Sequence, residues 1–268
     1  MMELEQLSAR ALAQAIRAKQ ISSAAATEAA IGRLKAAHEL TNCVLSLEAD
    51  TALAAAKAAD AALGAGRPLG PLAGVPLAHK DMFDRCGKIA SWGARIRADG
   101  AATEDATVIA RLRAAGGLEI AALHLTEFAF GPTGHNYVLG HARNPWDPAR
   151  ITGGSSAGTA AAVAYGAIPA GLGSDTGGSL RLPAAACGIT SIKPTWGRVS
   201  RAGAMPLAPS LDTIGVIARH VEDLALTLGL FAGPDPRDPS SAALPVADYL
   251  ARLTEPIAGM RLGVDAAL

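Results

Sequence analysis

Between positions 153 and 183 the chain reads GGSSAGTAAAVAYGAIPAGLGSDTGGSLRLP, in which two Gly-Ser clusters, GGSSAG and SDTGGS, flank an apolar segment at 160–172. That segment is long enough for a helix, a turn and a short strand, so each cluster is expected beside a helix start. A helix N-terminus leaves backbone N–H groups unpaired and carries partial positive charge, which stabilises negative charge developing on a nearby group. Glycines next to the serines allow close approach to the backbone. Taken singly, each cluster reads more readily as an ordinary cap or turn, which Ser, Thr, Asp and Gly dominate for local reasons.

Around this stretch, helical and strand patterns alternate. Residues 4–18 and 23–38 read as amphipathic helices, the second capped by Ser22 or Ser23. Residues 43–47 suit a strand, and 52–63 form an Ala-rich helix with Lys57 and Asp60 on its solvent face. The run 75–78 predicts a buried strand that delivers His79, Lys80 and Asp81 at its end. A helix over 103–115, with Thr103 as N-cap and arginines near its end, leads into a strand at 118–125. Strands at 189–192 and 211–218, a helix at 221–231, a Pro- and Asp-rich connector from 233, a short helix at 246–253 and a strand start at 260–264 complete the pattern. Helix and strand in alternation argue for a sheet covered by helices.

Lys and Arg balance Asp and Glu at 24 each, so no net electrostatic grip on nucleic acid or anionic lipid is expected, and a neutral small substrate fits better. Cys43, Cys86 and Cys187 are too few and scattered for a disulfide framework or a zinc motif, which points to a reducing cytoplasm. The N-terminal segment carries acids early and lacks a signal-peptide order, and the apolar runs are too short for a membrane span. His79, His124, His135 and His141 come without acidic or thiol ligands at metal spacing, so no metal is expected.

The blocks GGSSAG, GSDTGGSLRLPAA and KPTWGRVSRAGAMP resemble the amidase signature family. The resemblance extends back to GPLAGVPLAHKDMFD at 70–84, through NPWDPARITGG, and forward through SLDTIGVIARHVEDLAL, covering most of residues 60–240. It implies an α/β fold, a mixed β-sheet covered by helices, with a helical packing segment at 1–65 and a catalytic core at 66–232. Residues 233–268 would be a connector and the start of a second half of similar size that the chain lacks. A fragment, a truncated product or a partner supplying the remainder is therefore expected.

By the same resemblance the nucleophile maps to Ser179, the bridging serine to Ser155 and the base to Lys80, with a cis peptide bond before Ser155. Without it, Lys80 reads as a salt-bridge partner of Asp81 or Asp84. Amide hydrolysis needs a nucleophile, a base that later protonates the leaving amine, and donors for the oxyanion. The N–H groups of Thr176, Gly177, Gly178 and Ser179 are the expected donors. Thr133, in a loop that lines the family's pocket, and Ser156 are expected substrate contacts, although a turn role suits Thr133 and a supporting N-cap role suits Ser156. Gly154–Gly158 also spells G-x-S-x-G, but His220 is the only later histidine and no suitable strand runs into it, which argues against a nucleophile elbow at Ser156. Cys187 reads as inert packing.

The expected activity is hydrolysis of a small carboxamide through a Ser-Ser-Lys triad and an acyl-enzyme, without cofactor, membrane or direct nucleic-acid binding, by a homo-oligomer or with a partner subunit. Two alternatives stay open. One is an amidotransferase A subunit that releases ammonia from glutamine for a partner; the other is a non-catalytic remnant or binding module.

Overall fold

Ser8 opens α1 (Ala9–Arg17) by accepting the Ala11 N–H on its hydroxyl, and Ser22 opens α2 (Ser23–Thr41) in the same way through Ala25. The structure, a computed structural model, describes residues 4–96, 100–261 and 263. In chain order there follow β1 (Val44–Leu47), α3 (Ala49–Gly64), β2 (Pro76–Lys80), α4 (Thr107–Ala114), β3 (Leu118–Leu123), α5 (Ala157–Ala164), β4 (Ala170–Asp175), α6 (Arg181–Cys187), β5 (Thr190–Ile192), β6 (Thr213–Ala218) and α7 (Val221–Phe231). No helix among the described residues is long and apolar enough to cross a membrane.

The architecture is a mixed α/β fold in which the strands form two three-stranded sheets. One has the order β1-β3-β2, with β1 antiparallel and β2 parallel to β3; the other is the antiparallel β4-β6-β5. Their edge strands β2 and β4 lie side by side, so the two sheets make one layer with a seam. Successive residues of a strand point to opposite faces, and β2 shows this by sending Leu77 into one core cluster and Ala78 into the other. On one face α1, α4 and α7 supply Leu12, Ile16, Ile109, Leu112 and Phe231. On the other, α2 and α5 pack Ile31, Leu34 and the Ala160–Val163 run against Ile120, Leu123 and Ile217. Both faces of the layer are therefore dry, and a polar group carried in by β2 or β4 is costly wherever it lacks a protein partner.

Four local expectations need correction. The predicted helix at 103–115 begins only at Thr107, because the preceding residues are pinned to the turn at 84–88: Asp105 accepts the Cys86 N–H and pairs with Arg113, and Ala106 donates its N–H to Asp84 O. Asp60 does not face solvent with the exposed Lys57; it caps α2, accepting the N–H groups of Ser23 (2.7 Å) and Ala24 (3.0 Å). Residues 246–253 are irregular chain, bends and turns: Tyr249 and Leu250 pack against the core and the Tyr249 hydroxyl accepts from Arg198 (2.9 Å), but the residues on either side are exposed, so the segment is held at single points and not along a helical face. Of the strand start at 260–264, Leu262 and Val264 lie outside the described residues, and Met260, Arg261 and Gly263 are not in a strand.

Candidate active site

All five residues of β2 are buried, and Lys80 at its end is only 1% exposed. Its Nζ donates to Ser155 Oγ at 2.6 Å and to Ser174 Oγ at 2.9 Å. Desolvation disfavours the cation and outweighs the pull of Asp175 and Asp212 in the other direction, so the amine falls from 10.5 to about 7. Near neutrality a large share is uncharged, and its lone pair can then take a proton across the contact to Ser155. The salt-bridge reading is set aside, because Asp81 instead accepts the N–H and hydroxyl of Ser91 and lies 3.8 Å from Arg85.

Ser155 is fully buried, follows a cis peptide bond from Gly154, and accepts the Thr126 N–H on its carbonyl at 3.3 Å. It reaches Lys80 because α5 seats its first turn directly on the end of β3. A Cβ at Gly158 would lie 2.4 Å from His124 N and 2.5 Å from Cys43 O, so only glycine permits that approach. The second glycine of the G-x-S-x-G pattern is thus a packing requirement. Ser156 stands at the N-cap position of α5, yet its hydroxyl caps nothing. It donates to Ser174 O (3.3 Å) and accepts the Ser174 N–H (3.4 Å). Ser156 is 0% exposed, and the expected substrate contact is replaced by a structural tie to β4.

Ser179 sits in the turn between β4 and α6, and Asp175 organises that turn. The Asp175 side chain is fully enclosed and accepts the N–H groups of Gly178 (2.8 Å) and Leu180 (3.1 Å) together with two donors from the Arg181 guanidinium. Burial pushes its carboxyl up, but Arg181 and these backbone donors hold it below the ordinary carboxylate value. The expected oxyanion set is corrected here: the Gly178 N–H is committed to Asp175, while those of Thr176, Gly177 and Ser179 have no protein partner among the described residues. Ser179 lines a cavity of about 360 Å³ with Thr176, Gly177, Phe130, Gly131, Leu182 and Leu211 among its walls. Its hydroxyl holds no hydrogen bond among the described residues, whereas its carbonyl accepts the Ser156 N–H at 3.3 Å and so ties the two Gly-Ser clusters together.

Thr133 does not line this cavity. Its hydroxyl accepts the His135 N–H at 3.4 Å within a turn, and it is the preceding residues, 129–132, that reach the cavity wall. His135, Tyr137 and His141 pack as a ring cluster, with the two imidazole centroids 4.6 Å apart. Among the described residues no group of three or more His, Cys, Asp or Glu is arranged to hold a metal ion. Cys187 is buried, with its thiol pushed up to about 12 by desolvation.

Three residues of the site escaped the sequence reading. Ser174 and Asp175 lie in the SDTGGS cluster, where the glycines and the last serine carry the recognisable pattern. Asp212 lies in SLDTIG; it accepts the Thr176 hydroxyl (2.5 Å) and the N–H groups of Leu207 and Ala208. A polar residue at the end of an otherwise apolar strand was the available signal for all three.

The family model described as Amidase matches residues 25–268. In Chloroflexus aurantiacus, the A subunit of glutamyl-tRNA(Gln) amidotransferase is 47% identical over 98% of this chain and 54% of its own length. Among solved structures, one described as a vestigial protein complex that reveals the evolutionary origins of an s-triazine catabolic enzyme superposes with a TM-score of 0.92. It is 39% identical and covers 95% of this chain and 56% of its own. The peptide amidase of Stenotrophomonas maltophilia gives a TM-score of 0.85 at 33% identity, over 92% of this chain and 53% of its own. The chain spans about half the length of the curated relatives it matches.

Proposed function

This chain belongs to the amidase family, and on that premise we propose that it is an amidohydrolase using Ser179 as nucleophile, Ser155 as relay and Lys80 as base. The observation that carries the reading is the enclosed Lys80 amine, 2.6 Å from Ser155 Oγ and brought down to about 7. In the forward step Ser179 Oγ attacks the carboxamide carbon, its proton passes to Ser155, and the Ser155 proton passes to Lys80. The tetrahedral oxyanion is held by the N–H groups of Thr176, Gly177 and Ser179, where a single donor contributes about 3 kcal/mol. The lysine proton returns through Ser155 to the leaving amine, the C–N bond breaks, and water repeats the relay on the acyl-enzyme. Nucleophile, relay and base all come from side chains, so the reading calls on no cofactor.

The walls named around Ser179 offer no ionisable side chain, which favours an apolar small carboxamide. A second reading, glutamine hydrolysis for a partner subunit, is favoured by the 47% identity to an amidotransferase A subunit. The experiment is incubation of the purified chain with a serine-reactive fluorophosphonate, mapping the adduct, followed by a panel of apolar amides and glutamine. A Ser179 adduct, abolished in Ser179→Ala, with turnover of apolar amides is the expected result. A folded, soluble chain that takes no label would overturn autonomous catalysis and leave a binding module; glutamine turnover that appears only with a partner subunit would move the assignment to the second reading.

A further inference from the structure

The seam between the two sheets is closed by side chains where a backbone ladder would normally run. β4 pairs with β6 on one edge only, so the N–H and C=O groups of Leu172 and Ser174 on its other edge need partners in a dry interior. Each is met by a side chain. Ser156 serves both backbone groups of Ser174, and Thr159 donates to Leu172 O at 3.2 Å. The Leu172 N–H goes to His79 Nδ1 at 3.2 Å.

His79 is the one member of this set that stands on β2, immediately before Lys80. His79 is 3% exposed and its Nε2 has no protein partner among the described residues. Accepting on Nδ1 requires the tautomer with the proton on Nε2. Desolvation, with help from the charges of Arg85 and Arg113, lowers the imidazole to about 3, so the ring keeps this acceptor at any pH where a lysine near 7 would work. The backbones are in close contact at the same level: a Cβ at Gly171 would lie 2.4 Å from Ala78 O. One residue further along β2, Lys80 reaches Ser174 on β4 and Ser155 ahead of α5.

We infer that His79 is a positioning residue: its Nδ1 clasps β4 to β2 through the Leu172 N–H and thereby fixes Lys80 between Ser155 and Ser174. The inference rests on the reading of Lys80 as base. Small displacements of a general base are costly, since productive geometry is held within about 0.5 Å.

The test combines nuclear magnetic resonance on the full chain with fluorophosphonate kinetics. In the unsubstituted protein, the His79 ring nitrogens are expected to report a bare Nδ1 and a protonated Nε2; a ring protonated on Nδ1 at neutral pH overturns the clasp without any substitution. His79→Leu, which removes the acceptor, is expected to speed Leu172 amide exchange about tenfold or more, displace the Lys80 side-chain resonances and slow Ser179 labelling about tenfold or more. His79→Asn places an amide oxygen near the Nδ1 position and is expected to restore all three to within about threefold. Unchanged Leu172 exchange in His79→Leu, or an Asn variant no better than the Leu variant, overturns the inference. If the unsubstituted chain takes no label, the amidohydrolase reading falls, while the tautomer, the Leu172 exchange and the Lys80 resonances still decide the role of His79.

Discussion

Arg181 donates from Nε (3.0 Å) and Nη2 (2.9 Å) to the two oxygens of Asp175, six residues earlier, and this bidentate pair closes the turn that presents Ser179. The same carboxylate holds the Gly178 and Leu180 N–H groups, so a single side chain sets both flanks of Ser179. Asp175→Asn is expected to lower stability by about 2 kcal/mol, less than a wholly buried pair because Arg181 is half-exposed, and to slow labelling of Ser179 at least about tenfold. Because the folded carboxyl is held below its ordinary value, its stabilisation is present above 3.8 and lost as pH falls through the folded value. Urea unfolding of both proteins at pH 7 and under acid is the check: the gap is expected to close in acid.

Lys80 is costly to bury. The fall from 10.5 to about 7 corresponds to about 5 kcal/mol of disfavoured protonation, part of which Ser155 and Ser174 offset as hydrogen-bond acceptors. Lys80→Met is expected to abolish labelling yet raise stability at pH 7 by about 2 kcal/mol. The sign follows from proton uptake: the penalty is complete below the folded value near 7, shrinks as pH rises towards 10.5 and vanishes above it. Denaturant midpoints at pH 7 and 10 measure it.

Activity should follow the same amine. The labelling rate is expected to fall about tenfold per pH unit below a limb near 7, as protonated Lys80 loses its lone pair. Asp212 favours the cation, so Asp212→Asn is expected to move that limb to lower pH. A pH series of labelling rates decides both points, and a limb that does not move would remove Asp212 from the electrostatics of the site.

Ser156 and Ser179 are told apart by substitution. Ser179→Ala is expected to remove the adduct entirely. Ser156→Ala is expected to keep the adduct at Ser179 and to cost about 1–3 kcal/mol, because both backbone groups of Ser174 lose their partner in a buried setting. Intact mass and thermal unfolding read the two outcomes.

Away from the site, Asp60→Ala is expected to cost about 1–2 kcal/mol by uncapping α2, with no change in labelling rate. Helical circular dichroism followed through a urea titration is the measurement.

Part of this protein is written in local pattern. The strands at 43–47, 118–125 and 189–192 and the helix at 221–231 follow from hydrophobic periodicity and turn residues, and the structure places them within a few residues of those bounds. The family was legible for a related reason: Gly153, Gly154 and Gly158 stand where an added Cβ would lie 2.8, 2.6 and 2.4 Å from the nearest backbone atom, so part of the motif is written by steric demands that only glycine meets. What the string left out are pairings between residues far apart in sequence. Asp60 reads as a solvent-facing charge until α2 is placed beside it, and Thr103 reads as a cap until Asp105 is drawn to Cys86. Ser156 reads as a cap or a substrate contact until β4 presents an edge without a strand. Gly178 reads as an oxyanion donor until Asp175 claims its N–H. Residue type and spacing determine which helices and strands can form and which side chains have the chemistry for the site. Which donor meets which acceptor is decided only when the two sheets close, because burial makes every unpaired polar group costly and so selects one set of partners.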